Sequence, residues 1–202
     1  MYRVAVRLVS ESIENPADMA DALGVILLTW NQAAYRYDPF DFSRLEDFLR
    51  REKTVLDTFR ARSIDTFDLA RDEAGILAIF NDALESLRSK KKEKRSPVAV
   101  AKALHTIAPR FFPIWDRKIA AGLRCLWNDS GEAAGKYLDL IRQTKETVAS
   151  LERAYADKSA RAGLPDAGNL IGALSKHAGR DKTMLKFLDE YYYAKYTGGW
   201  VT

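Results

Sequence analysis

The chain has 202 residues, 47% of them apolar, which is enough to bury one sizeable core and reads as a single domain over 1–202. Its 32 Lys and Arg against 28 Asp and Glu leave a net charge of +4 and a pI near 9.1, only mildly basic, so the placement of charge matters more than its total. A lone Cys125 excludes an intrachain disulfide or a four-thiolate metal site, and no apolar run approaches the ~20 residues that span a bilayer. The opening Met-Tyr-Arg-Val-Ala-Val-Arg lacks a signal-peptide core, so a reducing, cytoplasmic setting is expected.

The first predicted helix starts at Asn15-Pro16, because proline is tolerated in a first turn and Asp18 favours it; Met19, Leu23, Ile26 and Leu27 carry it to about Tyr35. Asp38-Pro39 breaks the pattern. Phe42, Leu45, Phe48, Leu49, Val55, Leu56 and Phe59 then recur at helical spacing and predict one second long helix. A third runs from near Phe67 through Ile76, Ile79, Phe80 and Leu84 to Leu87, where a basic run interrupts it. That run, Arg88-Ser-Lys-Lys-Lys-Glu-Lys-Arg95, sets six positive residues against one negative within eight positions. Pro97 opens a helix to about Ala108, Pro109 and Pro113 bracket a turn, and a helix over 114–126 completes a tight hairpin element at 96–126. Tyr137 to Ala156 forms a further long helix, Gly163 to Gly168 a loop, and two last helices cover Leu170 to His177 and Asp181 to about Tyr196. No alternating strand pattern or repeat of useful length is present, so the expected class is all-α.

The segments Ser96-Pro-Val-Ala-Val-Ala-Lys-Ala-Leu-His105 and Phe112-Pro-Ile-Trp-Asp-Arg-Lys-Ile119 resemble the two halves of the helix-hairpin-helix DNA glycosylase signature, as a divergent member. Pro97 matches the hairpin proline, Lys102 the position that lysine occupies in lyase-competent members, Asp116 the catalytic aspartate, and Ile119 the apolar residue three beyond it. Val98 and Val100 stand where the family has glycines, the Lys102 to Asp116 spacing is a few residues short, and the four-cysteine cluster of some members is missing, so no iron–sulfur cluster is expected. The resemblance implies a hydrolase that takes a damaged or modified base out of double-stranded DNA and breaks its N-glycosidic bond, in base-excision DNA repair or in antiviral defence against modified phage DNA. Asp116 would stabilise the oxocarbenium-like sugar or position water, and Lys102 would hold a phosphate or Asp116, or attack C1′ itself.

Contacts to DNA would come from Lys91, Lys92, Lys94 and Arg95 with Arg110, Arg117 and Lys118, and from His105, one helical turn after Lys102. Trp30, Asn31 and Tyr35, with Trp115, offer the stacking faces and edge-reading groups a base pocket needs. Structural roles stay open for the same residues: Asp116 as a helix cap, Lys102 as a solvated lysine, His105 bonded to a loop carbonyl, Trp115 in the core. His105 and His177 lie far apart and join no cluster at zinc spacing, so neither a metal nor another cofactor is expected, and the protein reads as a monomer. The competing reading is a non-catalytic helical module that binds nucleic acid or protein, as a defence or toxin–antitoxin component.

Overall fold

The computed structural model describes residues 2–163, 169–178 and 182–201. The chain is all-α. Eleven α-helices follow one another among the described residues: α1 (Tyr2–Glu11), α2 (Pro16–Trp30), α3 (Gln32–Tyr35), α4 (Phe42–Arg51), α5 (Lys53–Arg60), α6 (Leu69–Ser86), α7 (Pro97–Ile107), α8 (Arg117–Gly122), α9 (Ala133–Arg161), α10 (Leu170–Ala178) and α11 (Met184–Tyr192). A 3₁₀ turn at Ile64–Thr66 precedes α6, and a π-helical turn at Tyr193–Gly198 extends α11. No helix among the described residues is long and apolar enough to cross a membrane. Most of the predicted loop from Gly163 to Gly168, and Asp181 at the head of the last predicted helix, lie outside the described residues.

Helix starts follow the capping chemistry of the sequence. Asn15 accepts from the Ala17 amide ahead of Pro16, Asp41 from Ser43, Asp68 from Arg71, Ser96 from Ala99 and Thr183 from Lys186. Each satisfies an amide that a helix start would otherwise leave unpaired.

The core is aromatic at its centre. Phe80 of α6 and Tyr137 of α9 pack around Trp115, whose ring lies 4.2 Å from that of Trp127, while Phe59, Phe111 and Phe112 continue the cluster toward α5. Such tilted pairs add about 0.5–1.5 kcal/mol each beyond burial of area. Helix α2 packs on α1 and α4, and α6 on α4, α7 and α9. The buried Asp72 is held by a two-pronged contact from Arg62 at 2.9 and 2.7 Å and by Arg71 at 2.8 Å. Burial opposes its ionisation, but these bonds win and hold the carboxyl well below the usual range.

The helix expected from Asn15 to about Tyr35 divides at Asn31 into α2 and α3, and three further expectations need correction. The predicted helix from Phe42 to Phe59 is two helices, because Glu52 leaves helical geometry (φ −93°, ψ 7°); the break lets Phe48 and Leu49 stay with α4 on α2 while Phe59 turns onto Phe111 and Phe112. The predicted helix over 114–126 shrinks to the six residues of α8. Ile114 and Trp115 lie before its cap, and Arg124, in the left-handed region at φ +57°, turns the chain so that Trp127 returns to Trp115. Third, the N-terminal residues form α1, which the sequence reading left without an element; Ala5 and Val9, four apart, bury its inner face, and it packs on α2 and α7.

Candidate active site

A cavity of about 560 Å³ opens where five elements meet: the end of α2, the middle of α7, the stretch before α8, α11 and the C-terminal segment. Trp30, Lys102 and Asp116 line it, each from a different part of the chain, together with Ile114, Lys186, Asp189, Glu190, Tyr193 and Trp200. Its size falls in the range of small-molecule sites.

Asp116 is the N-cap of α8. Its Oδ1 accepts the Ile119 amide at 2.8 Å, which fixes the carboxylate plane, and its second oxygen has no hydrogen-bond partner among the described residues. The capping role and a role in the cavity therefore use different oxygens of one side chain. Lys102 is half-buried and donates from Nζ to the Trp30 carbonyl oxygen at 2.6 Å. Burial lowers its pKa, against the attraction of Asp116 and Asp189. Lys186 pairs with Asp189 and reaches Glu190 at 3.8 Å, while its Nζ lies 5.0 Å from the Tyr2 ring centre and 5.9 Å from that of Trp30. Burial raises the Asp189 pKa, with Lys186 opposing and the like charges of Glu190 and Asp116 assisting. Two lysines and three carboxylates thus face a space walled by the rings of Trp30, Tyr193 and Trp200.

Other residues singled out from sequence lie elsewhere. His105 is fully enclosed: its Nδ1 donates to the Phe112 carbonyl at 2.7 Å, since a carbonyl can only accept, and its Nε2 accepts from the Tyr2 hydroxyl at 2.8 Å. Both ring nitrogens are used, so His105 is not a DNA contact; it ties α1 and the turn at Phe112 to α7. Tyr35 is buried with its hydroxyl on the Leu87 carbonyl at 2.6 Å, and Trp115 is buried in the aromatic core, so neither is a base-pocket wall. Asn31 turns its amide to Ser96 Oγ at 3.0 Å and does not line the cavity. The helix expected to carry Trp30, Asn31 and Tyr35 together ends at Trp30, because the backbone bends at Asn31 (φ −124°, ψ 35°).

The basic run is divided by its own ion pairs. Arg88 is engaged by Glu85 and Glu93, Lys90 by Asp41 at 3.4 Å, and Arg95 by Glu85 at 2.5 Å, whereas Lys91, Lys92 and Lys94 are exposed without an ion pair among the described residues. Arg95 is therefore committed to Glu85 rather than free for a phosphate. Buried Asp38 holds the loop beneath these lysines, accepting the Lys91 and Lys92 amides at 2.8 Å each; the Ser89 hydroxyl and these amides lower its pKa. Ser89 and Lys94 close the loop on each other, and Lys90 donates to the Pro39 carbonyl. Arg110, Arg117 and Lys118 are exposed, with Arg117 stacked over Trp127 at 5.1 Å.

The chain matches no family model, no curated protein and no solved structure. Among the described residues, no group of three or more His, Cys, Asp or Glu is placed to hold a metal ion.

The wall contributed by α11 and the residues after it was missed from sequence. Lys186 with Asp189 and Glu190 at helical spacing, followed by Tyr193 and Trp200, is a charged face beside aromatics. Periodicity shows that face but not the cavity it closes.

Proposed function

We propose that the chain is a glycosylase-like enzyme that accepts a damaged or modified base turned out of double-stranded DNA and hydrolyses its N-glycosidic bond. What supports this reading is the convergence of Asp116, Lys102 and Trp30, chosen from sequence alone, on one ligand-sized cavity. As the bond breaks, its electron pair leaves with the base and positive charge develops at C1′. The oxygen of Asp116 left free by the cap is the group to stabilise that charge, and water then adds at C1′, its released proton ending on the departed base, to give an abasic site. Trp30 offers a face for the base, and Lys102, tethered to the Trp30 carbonyl, holds a cation beside Asp116. Arg117 and Lys118, next in sequence to Asp116 and exposed, are cations available to the flanking phosphates. The role, in repair or in defence against modified phage DNA, follows from which base is released.

The test incubates the protein with duplexes that each carry a different modified base and reads alkali-sensitive strand breaks. Release from at least one duplex, abolished by Asp116→Asn with duplex affinity retained, is expected. Asparagine can still accept the Ile119 amide, so this substitution removes the charge and keeps the cap. Duplex binding with no base released from any substrate refutes the enzyme and leaves a nucleic-acid-binding module.

A further inference from the structure

A second hollow, of about 340 Å³, lies between α3 and the Asp38-held loop, and it is lined by Arg36, Tyr37, Lys92 and Lys94 among others. Among the described residues, it shares none with the Asp116 cavity. Tyr37 is unusual for an aromatic residue in being 82% exposed. The Arg36 guanidinium covers one face of its ring at 5.3 Å, leaving the rest of the ring open to solvent. Among the described residues, the only carboxylate lining this hollow, that of Asp38, is consumed by the two backbone amides below it. Arg36, Lys92 and Lys94 have no ion pair among the described residues, so the rim is cationic around an open aromatic ring.

We infer that this hollow is a binding site for a single DNA strand, with Lys92 and Lys94 on phosphates and an unpaired base stacked on Tyr37. Charge complementarity selects a polyanion, and the ring selects its form. In a duplex the base faces are stacked on one another, whereas an unpaired strand presents them to any exposed ring. Arginine behind the ring strengthens such stacking. The loop is already held by Asp38, Ser89 and Pro39, so little ordering opposes binding. This site stands whether or not Asp116 releases a base.

The test is fluorescence anisotropy of the full chain with labelled oligothymidylate and, separately, with a duplex of the same length. Tyr37→Ala is expected to weaken strand binding by about tenfold, from the loss of one stacked base. Tyr37→Phe keeps the ring and is expected to bind as the wild type does, and Tyr37→Ala to leave duplex affinity unchanged. Lys92→Gln with Lys94→Gln is expected to flatten the log–log salt dependence by about 1.4, at ~0.7 for each phosphate contact on a single strand. The matched pair Arg142→Gln with Arg153→Gln, bordering a separate groove on α9, leaves that slope in place. Wild-type strand binding by Tyr37→Ala, an equal loss on the duplex, or an equal slope change from the α9 pair overturns the inference. Asp116→Asn binds oligothymidylate as the wild type does, so a failure of base release and a failure of strand binding are read separately.

Discussion

Replacing His105 with glutamine removes a titratable group whose burial ties stability to pH. The imidazole is enclosed, its Nδ1–H committed to the Phe112 carbonyl and its Nε2 to the Tyr2 hydroxyl. Burial, assisted by the charge of Lys186, lowers its pKa from the ordinary 6.5 to about 4, although the bond to Phe112 opposes the change. Between these values the unfolded chain binds a proton that the folded chain refuses. Stability therefore falls as pH drops through this window and recovers above about 6.5. At about 1.4 kcal/mol for each pH unit, the loss attributable to His105 between neutrality and pH ~4 is about 3 kcal/mol, a substantial part of the ~5–15 kcal/mol that holds a typical domain together. Urea unfolding followed by circular dichroism across that range, for the wild type and His105→Gln, measures it. The variant is expected to be less stable at neutrality but flatter with pH, since every other titrating group is common to both proteins. Parallel stability curves would refute the reasoning, because they would mean that His105 is no more protonated in the unfolded chain than in the folded one.

Asp116→Ala, which loses the cap as well as the charge, should unfold about 1 kcal/mol more easily than Asp116→Asn, and a comparison of urea midpoints checks this. Trp115→Ala is expected to cost about 3–5 kcal/mol in the same assay, since the ring is fully buried among Phe80, Trp127 and Tyr137. A Cβ at Gly122 would stand 2.4 Å from the Tyr196 ring, so Gly122→Ala should displace the segment after α11 from α8; faster hydrogen exchange at 193–200 is the expected signature. Borohydride should trap no covalent adduct with substrate DNA, because the Lys102 amine is engaged by the Trp30 carbonyl; an adduct that disappears in Lys102→Ala would make that lysine the nucleophile.

The elements that sequence located well are those where a capping residue, a proline and a helical apolar period coincide, as at Asn15-Pro16 and Ser96-Pro97. Where only the apolar period was available, tertiary packing decided. The series from Phe42 to Phe59 stays in phase across the bend at Glu52, so nothing in it announces two helices. The region after Pro113 reads as helix over 114–126, yet the Trp115–Trp127 contact draws both ends away from α8. For the candidate site, local motifs picked Asp116, Lys102 and Trp30, whereas the facing wall from Lys186 to Trp200 lies far off in sequence and depends on how α11 returns across the domain. His105 shows the reverse case: a residue conspicuous in sequence whose partners, Tyr2 and Phe112, make it a joint between elements.

The loop beneath the exposed lysines separates shape from charge. Its path is set by Asp38, Ser89 and the backbone of Pro39, while Lys91 and Lys92 hold it chiefly through their amides, the charge of Lys91 adding a smaller attraction to Asp38. Any residue but proline supplies the same amide at those two positions. Neutral side chains can therefore replace the lysines there and retune what this face attracts with little change to the fold, whereas an acidic one at position 91 would repel Asp38. Asp38 has no such latitude, and a drift at that one acid would reshape the surface that the lysines merely decorate.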